Sequence, residues 1–465
     1  MHTRLCASPS RTKSAVAASL VSCLAGASAL GCTALLGDDY FLPDAGEDDG
    51  SNGGSGGGGA SGPGSGGGPL PKPDLDALVW EIENASDTPA TISHDGVLVR
   101  VPETGDRWMV LSEPDDVMLS DQDIWATRRG TNGSWTPERL TDGVNVQFAY
   151  ASAVGFGSVV HAVFSGNQDA INDVYYVRSS GELWLEPANL TAGTKPSTTD
   201  QHDYYPSMAV GPEGQLATAY LSSLVNLNDT TLRVLRFDDS GVADEPEVDL
   251  APGRCDNPAA VFDAGGKLHV LATCSDGTSR VMHATDASGG WQSAPMPDPA
   301  CSSPPCTWSS GLARATIALG PDGELHAAWS TSDDDASCTG GVTSCDDIVY
   351  ARTQGGVFSQ PAVVVVATSD VREAHPAIAV DAHGRVMLAL HRFEDETVLL
   401  FSWSEDGVTF SPPTTVAPTG EGDRGFPATM LVDPDTQLPE LALEATIAGT
   451  EPLNTEIFRA AAKEP

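Results

Sequence analysis

Residues 375–392 read HPAIAVDAHGRVMLALHR: an apolar run, a short turn around Gly384 and a second apolar run. This pattern occurs six times in the chain, and neighbouring copies are spaced 51 to 62 residues apart. The matching positions are Ala151, Pro206, Pro258, Arg314, Pro376 and Pro427. Because a repeat this regular constrains the whole chain, it is the basis for predicting the fold.

Two apolar runs joined by a turn that contains Gly are typical of a β-hairpin. The runs are too short and too often interrupted by Gly to be amphipathic helices. A period near fifty residues is typical of propeller blades. The first run, such as residues 377–380, is small or apolar throughout, as expected for a strand that is buried near a propeller axis.

Each repeat continues with a third predicted strand and a Gly turn that precedes an aromatic residue. The third strands include residues 123–128, 173–178 and 347–352, and each of them ends in Arg. Four strands per repeat make one propeller blade. We therefore predict an all-β propeller of four-stranded blades, with seven blades favoured and six as the alternative.

The two ends of this domain are predicted to meet. Residues 77–82 form a predicted strand without a nearby hairpin partner, whereas the last repeat stops after its third strand, residues 456–459. Since an open sheet edge invites unwanted pairing, we predict that the N-terminal strand completes the last blade. The propeller domain then covers residues 75–465.

The N-terminal residues 1–31 are predicted to be an export signal, with a basic start and an apolar stretch from residue 14 onward. Ala29-Leu30-Gly31 before Cys32 resembles the lipobox of bacterial lipoproteins, which implies that Cys32 carries the lipid. Cys23 is a rival lipidation position, and a plain secretory signal is a further alternative. Thr33 after the cysteine favours the outer membrane.

Residues 32–74 are predicted to be a flexible tether. They combine acidic residues with a Gly/Ser run at 50–68 and several prolines, a composition that cannot bury a core. A tether between a lipid and a globular body suits a lipoprotein of the outer membrane or cell surface. The membrane, reached through this N-terminal anchor, is therefore a predicted partner.

The charge excludes one class of ligand. Asp and Glu total 64 against 24 Lys and Arg, which gives a net charge of −40. Such a chain repels phosphate backbones, so we predict no nucleic-acid partner. The charge favours solubility, and we expect a monomer.

The six cysteines of the predicted domain fall into three local pairs. Cys255 and Cys274 flank one predicted hairpin, and two further pairs bracket short loops. In an exported protein, such pairs are typical of disulfides, and the spacing of metal-binding cysteines does not occur. The predicted disulfide residues are Cys255, Cys274, Cys301, Cys306, Cys338 and Cys345.

Two sequence patterns, an acidic cluster and a set of recurring histidines, could indicate a metal site. Asp333, Asp334, Asp335, Asp346 and Asp347 lie in the longest repeat, where a solvated acidic loop is favoured over a Ca²⁺ site. His161, His269 and His326 recur at one place in successive predicted hairpins, which favours packing over a metal-binding ring. We predict neither a metal site nor a cofactor.

Residues 404–410, SEDGVTF, resemble the Asp-box of the sialidase superfamily, one residue shorter than its usual form. The motif residues are Ser404, Asp406, Gly407, Thr409 and Phe410. The resemblance implies a β-propeller over about residues 76–460, in which the Asp braces a turn between the third and fourth strands. The motif has a structural role in that family, so it predicts the fold and not an activity.

The resemblance extends weakly to the sialidase active site. Val99-Arg100-Val101-Pro102 is similar to the family's Arg-Ile-Pro motif, whose Arg binds the sugar carboxylate, which makes Arg100 a ligand-binding candidate. Asp115, Asp116 and Asp121 lie roughly where the family has its acid/base Asp. Arg392 and Arg424 fall in later blades, where no motif selects them.

The catalytic tyrosine of sialidases lies late in the chain, but the last tyrosine here is Tyr350. We therefore assign no catalytic residue. We predict a non-enzymatic, surface-anchored lipoprotein that binds a glycan or a protein. A glycoside hydrolase of the exo-sialidase type is the alternative.

Overall fold

The computed structural model describes residues 70–86, 93–114, 122–142, 147–168, 171–181, 183–192, 201–223, 230–243, 250–251, 253–275, 278–286, 290–300, 308–309, 314–333, 346–366, 371–393, 397–416, 426–447 and 454–465. These residues form one 3-10 helix, Leu75–Ala77, and thirty β-strands. The strands assemble into seven antiparallel sheets, so the predicted all-β fold is confirmed.

The first strand, β1 (Val79–Asn84), precedes the first blade. Blade 1 contains β2 (His94–Arg100), β3 (Arg107–Pro114), β4 (Gln122–Arg129) and β5 (Trp135–Arg139). Blade 2 contains β6 (Phe148–Phe156), β7 (Val159–Gln168), β8 (Ile171–Ser180), β9 (Leu183–Trp184) and β10 (Ala188–Asn189). The described strands of blade 3 are β11 (His202–Val210), β12 (Leu216–Ser223) and β13 (Thr230–Phe237).

Blade 4 contains β14 (Arg254–Phe262), β15 (Leu268–Ser275), β16 (Ser279–Thr285) and β17 (Gln292–Pro295). Blade 5 contains β18 (Trp308–Ser309), β19 (Thr316–Leu319), β20 (Leu325–Asp333), β21 (Asp346–Gln354), β22 (Val357–Phe358) and β23 (Val363–Val366). Blade 6 contains β24 (Arg372–Val380), β25 (Val386–Phe393), β26 (Thr397–Ser404) and β27 (Thr414–Thr415). Blade 7 contains β28 (Phe426–Val432), β29 (Pro439–Ile447) and β30 (Asn454–Lys463).

The blades form a closed ring. The first strand of each blade contacts the first strand of the next, from β2 through β6, β11, β14, β19, β24 and β28, and β28 contacts β2 again. These strands line the propeller axis, where small buried residues such as Ala153, Ala260 and Ala377 leave room for seven blades. The prediction of seven blades is therefore confirmed over six.

Hydrogen bonds between neighbouring first strands reinforce the ring. Ser152 of blade 2 accepts a hydrogen bond from the backbone amide of Met208 in blade 3, at 2.9 Å. Ser207 accepts one from blade 4 in the same way, at 3.0 Å. Thr429 of blade 7 accepts one from the amide of Leu98 in blade 1, at 2.9 Å, so the same device also links the last blade to the first.

The N-terminal strand completes the last blade, as predicted. Strand β1 pairs antiparallel with β30 from Val79 opposite Lys463 to Asn84 opposite Phe458. Blade 7 thereby gains its fourth strand, and the free edge of β30 is covered.

The ring has two faces. The turns between the first and second strands, at glycines such as Gly214 and Gly384, lie on one side, which we call the hairpin face. The first strands begin on the opposite side, which we call the bulge face, because most of them carry a β-bulge there. The two faces offer different residues to a ligand.

At the bulge face, five first strands hold a non-glycine residue in the left-handed region of φ. They are Asp95, Tyr150, Tyr205, Asn257 and His375, with φ between 49° and 60°. Each lies within the register shift of its strand. A residue held in this conformation costs about 1–3 kcal/mol, and such residues cluster at functional sites.

The residues that precede β1 cross the hairpin face as a strap, which we define as residues 70–78. The carbonyl of Pro71 accepts a hydrogen bond from His383 at 2.8 Å, and that of Pro73 accepts one from Arg385 at 2.7 Å. Leu75 is buried in the core between blades 6 and 7. The strap therefore fixes the N-terminal end of the described chain to the hairpin face.

A chain of paired charges joins blade 7 to blade 1, and we call it the seam network. Glu440 accepts hydrogen bonds from Arg107 at 2.8 Å and from Arg459 at 2.9 Å. Arg459 also donates to Glu83 at 2.6 Å, and Arg107 donates to Asp433. Each of these charges has a partner of opposite sign, so this seam is closed by ion pairs as well as by apolar packing.

Candidate functional site

One side chain from each of five blades contributes to a cluster at the bulge-face end of the axis. We call Asp95, Tyr150, Tyr205, Arg314 and His375 the axial cluster. Four of them are the left-handed residues of their first strands. Their charges and hydrogen bonds connect them to one another, so residues that lie far apart in sequence share one site.

Arg314 is the cationic centre of this cluster. Its side chain is 6% exposed, and among the described residues no group accepts a hydrogen bond from its Nε. Burial lowers the pKa of Arg314, whereas the charges of Asp95 and Glu444 raise it. Guanidinium groups remain protonated in proteins, so the site holds a buried positive charge whose Nε has no acceptor among the described residues.

Tyr150 and Tyr205 form the aromatic part of the cluster. Their ring centroids lie 4.3 Å apart with an interplanar angle of 48°, and their hydroxyl groups hydrogen-bond to each other. Burial is the main cause that raises the pKa of both phenols. Both tyrosines are therefore neutral at physiological pH, and each keeps a hydroxyl and a partly exposed ring in the site.

Two carboxylates flank the tyrosines. Asp95 accepts hydrogen bonds from the backbone amide of Tyr150 at 3.3 Å and from Ser112 at 3.4 Å. Burial raises the pKa of Asp256, and its neighbour Arg254, 3.4 Å away, opposes this shift. The site therefore combines one buried cation with carboxylates that other groups already hold.

His375 closes the cluster on the side of blade 6. Burial lowers its pKa well below the ordinary value, and the positive charge of Arg314 adds to this effect. The ring of His391 lies 6.3 Å from it, and burial lowers the pKa of His391 to about 3. Both imidazoles are therefore neutral at physiological pH and add no charge to the site.

These groups suit the recognition of a small anion attached to an apolar surface. The guanidinium of Arg314 supplies positive charge, and Arg forms directional, charge-assisted hydrogen bonds with carboxylates. Aromatic rings with hydroxyl groups offer both a flat apolar surface and polar contacts. A carboxylate-bearing sugar combines these two kinds of surface.

Of the arginines singled out in the sequence, the structure describes Arg100 and Arg392. Arg100 lies at the hairpin-face end of β2, five residues after Asp95, which corresponds to about 15 Å along a strand. Arg392 pairs with the buried Glu373 at 3.1 Å. Arg424, Asp115, Asp116 and Asp121 lie outside the described residues.

Tyr350, the last tyrosine of the chain, also lies away from the axial cluster. Its hydroxyl forms a 2.7 Å hydrogen bond with Nδ1 of His326 inside blade 5. The aromatic residues of the cluster come instead from blades 2 and 3.

The residues that resemble an Asp-box form a compact turn between β26 and β27. Asp406 Oδ1 accepts hydrogen bonds from the amides of Val408 and Thr409, both at 2.8 Å. Ser404 donates to the carbonyl of Thr409 at 2.7 Å. Phe410 packs edge-on against an aromatic ring of blade 5, with centroids 5.3 Å apart. In this geometry the Asp braces the turn and the aromatic residue packs between two blades.

Cys255 and Cys274 form a disulfide between β14 and β15, where the two residues are direct cross-strand partners. The other four predicted disulfide residues, Cys301, Cys306, Cys338 and Cys345, lie outside the described residues, as does the predicted lipidation site Cys32. The bond joins the first two strands of blade 4 close to the bulge face.

The repeated histidines pair within their own blades. Nδ1 of His161 lies 2.7 Å from the hydroxyl of Tyr176, and Nδ1 of His269 lies 3.0 Å from Nε2 of His283. In the described part of the chain, no three His, Cys, Asp or Glu residues come together as a metal site. These contacts fit the packing interpretation of the repeated histidines.

Most of the acidic insert lies outside the described residues, including Asp334 and Asp335. Asp346 is an exception: it is buried and accepts a hydrogen bond from Arg372 at 2.8 Å. This carboxylate therefore has a structural partner.

A polar cleft of about 740 Å³ lies beside the seam network, on the side of the strap. Its lining includes Arg107, Arg459 and Glu440. In the seam network, these charges already pair with one another or with Asp433 and Glu83.

The residues of the axial cluster were not predicted from the sequence. One signal was present: Arg314 stands where four other repeats have Pro, and Tyr150, Tyr205 and His375 directly precede the matching position of their repeats. Periodicity alone gave no reason to separate these residues from the packing positions beside them.

Within the described residues, no helix has the length and apolar character that crossing a membrane requires. No protein-family profile matches the sequence, and a search of curated proteins finds no match.

Solved structures resemble the chain at low sequence identity. An ulvan lyase, a polysaccharide lyase, matches with a TM-score of 0.50 and 14% identity over 80% of this chain and 93% of its own. A Trypanosoma rangeli sialidase in complex with the inhibitor DANA matches with 0.46 and 10% over 80% of this chain. A Dyadobacter fermentans protein of unknown function matches with 0.46 and 13% over 70% of this chain and 97% of its own.

The chain spans only about half of the sialidase's length, 55%. At these identities the similarity concerns the fold alone. The seven closed blades and the turn at residues 404–410 agree with it. The chain therefore has a seven-bladed β-propeller fold, to which the ulvan lyase structure is similar.

Proposed function

We propose that the protein is a non-enzymatic, surface-anchored lipoprotein that binds a carboxylate-bearing glycan at the axial cluster. The observation that carries the proposal is Arg314, which is almost fully buried and whose Nε has no acceptor among the described residues. Burying a charge without a full set of partners is costly, and a bound carboxylate would offset that cost. The paired tyrosines beside it offer the surface that a sugar ring needs.

A binding role is favoured over catalysis by the way the cluster is hydrogen-bonded. The two phenols bond to each other, and burial keeps both of them protonated. A tyrosine nucleophile needs a group that takes its proton. This cluster uses the tyrosines as neutral hydroxyl groups.

The strap supports the proposed anchoring. It leaves the ring on the hairpin face, where Pro71 and Pro73 are bound, whereas the axial cluster lies at the bulge face. A lipid at Cys32 and a tether along residues 33–69 would then reach the domain from the side opposite to the binding site. The site would face away from the membrane, open to ligands from outside the cell.

A glycan array with the purified full-length protein tests the binding. We expect carboxylate-bearing glycans to bind, and Arg314→Met to weaken that binding by about 10- to 100-fold, the equivalent of one or two charge-assisted hydrogen bonds. Arg178→Met is the matched control, because Arg178 lies at the hairpin-face end of β8, where it pairs with Asp239. Equal binding by the wild type and Arg314→Met would contradict the proposal.

Mass analysis of the mature N-terminus tests the anchor. We expect a lipidated Cys32 as the first residue, and we expect Cys32→Ser to release the protein from the membrane. An unmodified N-terminus in the wild-type protein would rule out the anchor without affecting the binding proposal.

A glycoside hydrolase of the exo-sialidase type is the second candidate. The observation that favours it is the proximity of a tyrosine, a carboxylate and an arginine, since Tyr150 lies close to Asp95 and Arg314. Turnover of a fluorogenic sialoside that Tyr150→Phe abolishes, while glycan binding persists, would establish this candidate. The absence of turnover in a protein that binds the same sialoside would leave binding as the function.

A further inference from the structure

A row of aromatic side chains leads from the axial cluster across the seam between blades 2 and 3. We call Tyr150, Tyr205, Tyr204 and His202 the aromatic track. Beyond the Tyr150–Tyr205 pair, the ring centroids of Tyr205 and Tyr204 lie 6.2 Å apart. Those of Tyr204 and His202 lie 5.8 Å apart with nearly parallel rings, at 13°. The track therefore continues from the axial cluster to His202, the first residue of β11.

The rings of the track are partly exposed, in contrast to the aromatic residues that pack between blades. All four track residues are of intermediate exposure, whereas Tyr220 of the same blade is fully buried. The bulge between Tyr204 and Ser207 explains the difference, because it interrupts the alternation that would otherwise bury one of two consecutive residues.

Contacts from blade 2 hold the outer half of the track in place. The backbone amide of Asn172 donates to Nδ1 of His202 at 3.3 Å, and the Asn172 side chain hydrogen-bonds to Tyr204. Rings that are held in place before binding lose little conformational entropy when a ligand arrives. The track is therefore a pre-organised surface.

The charge of the protein limits what this surface binds. The track itself contains no Lys or Arg, and the whole chain carries a net charge of −40. A ligand with a charge on every unit would be repelled. Neutral sugars have apolar faces that pack on aromatic rings and hydroxyl groups that bond to their edges.

We infer that the aromatic track binds the neutral sugars of an oligosaccharide whose single carboxylate-bearing sugar lies at Arg314. The inference rests on the proposed function and adds to it that the ligand is a chain longer than one sugar. The chain follows the seam between blades 2 and 3 outward from the axis, over Tyr205, Tyr204 and His202.

Calorimetric titration of the full-length protein with two matched pairs of probes tests this. One pair is N-acetylneuraminic acid and sialyllactose, and the other is glucuronic acid and aldotriouronic acid; each trisaccharide adds two neutral sugars to its acidic one. We expect at least one trisaccharide to bind about tenfold more tightly than its own acidic sugar, as one good aromatic contact provides.

Variants test whether the tighter binding of the trisaccharide arises at the aromatic track. Tyr204→Ala should remove the advantage of the trisaccharide and leave the affinity for the acidic sugar unchanged, whereas Tyr204→Phe should keep most of it. His202→Ala is a second variant at the outer end of the track, in case Tyr204→Ala does not fold. Trp291→Ala removes a partly exposed aromatic residue of blade 4 and should change neither affinity.

Three outcomes overturn the inference, and they differ in what they say of the proposed function. Equal affinity for both members of each pair, or an equal loss for both in Tyr204→Ala, removes the track and leaves the acidic-sugar site in place. If neither acidic sugar nor either trisaccharide binds the wild-type protein, the proposed function fails as well.

Discussion

The seam network and the axial cluster both combine arginine with acidic residues but use the arginine differently. In the seam network, Glu440 is shared by two arginines, and each arginine has a second acidic partner. In the axial cluster, Arg314 is buried more deeply than Arg107, yet its Nε bonds to no described residue. The first arrangement contributes to holding the ring closed, whereas the second leaves a buried donor without an acceptor among the described residues.

The two regions also differ in backbone strain, which is present in the axial cluster and absent from the described residues of the seam network. The axial cluster includes four residues held at positive φ, in first strands that would otherwise be regular. None of the seam-network residues is among the described non-glycine residues with positive φ. In blade 7 that conformation is adopted by Gln437, which lies in the turn before β29. Strain combined with an under-bonded charge is expected of a site that is maintained for function at some cost in stability.

The largest predicted effect on stability concerns the seam. Glu440→Gln leaves Arg107 and Arg459 short of an anionic partner in a mostly buried position, and breaking such a pair costs about 3–5 kcal/mol. We expect urea unfolding to show a loss of this order. Glu81→Gln is the control, because Glu81 pairs with Lys463 in solvent and should cause no measurable loss. A loss below 1 kcal/mol in Glu440→Gln would show that the ring closes without the network.

Buried histidines are a third kind of polar group, because they are neutral, unlike the paired charges of the seam network and the charge of Arg314. Burial lowers the pKa of His161 and of His326 to about 4, against about 6.5 in the unfolded chain. Below pH 6.5 the unfolded state therefore binds protons that the folded state does not. Stability is fully present above pH 6.5 and falls as pH decreases toward 4, by about 1 kcal/mol per pH unit for each His.

Unfolding free energies measured between pH 7.5 and 4.5 check this second prediction. The double variant His161→Gln/His326→Gln should show a smaller decrease over this range than the wild-type protein. An identical pH dependence in both proteins would mean that these histidines are not responsible.

The smallest predicted effect on stability is that of Arg314→Met, which separates the axial cluster from the seam network most directly. Arg314→Met removes a buried charge whose Nε has no acceptor among the described residues, so we expect the free energy of unfolding to change by less than about 1 kcal/mol or to increase. Arg459→Met removes a fully paired charge and should cost several times more. If Arg314→Met were as destabilising as Arg459→Met, Arg314 would be structural and the proposed site would lose its main argument.

Much of the fold followed from the repeat. The position of the first strands, the blade number and the closing strand all depend on the apolar periodicity and on covering sheet edges, which act at every repeat in the same way. The same repetition allowed the pairing of Cys255 with Cys274 to be predicted, since the two residues flank one hairpin.

Other regularities of the fold could not be predicted from the sequence. Asp123 accepts a hydrogen bond from Thr141 at 2.6 Å, and Asp173 accepts one from Thr191 at 3.0 Å, each closing the outer edge of its blade. The short Leu-Thr pairs that carry these bonds recur in the sequence, but they are too common to stand out.

The sequence by itself determined the ring, because apolar alternation and turn chemistry are local properties that every blade repeats. Only the tertiary structure decided the site, because Asp95, Tyr150, Tyr205, Arg314 and His375 come from five blades and meet only when the ring closes. Whether an arginine is paired depends on which acidic residues the other blades bring beside it. That depends on distance and burial, and no spacing within one repeat contains this information.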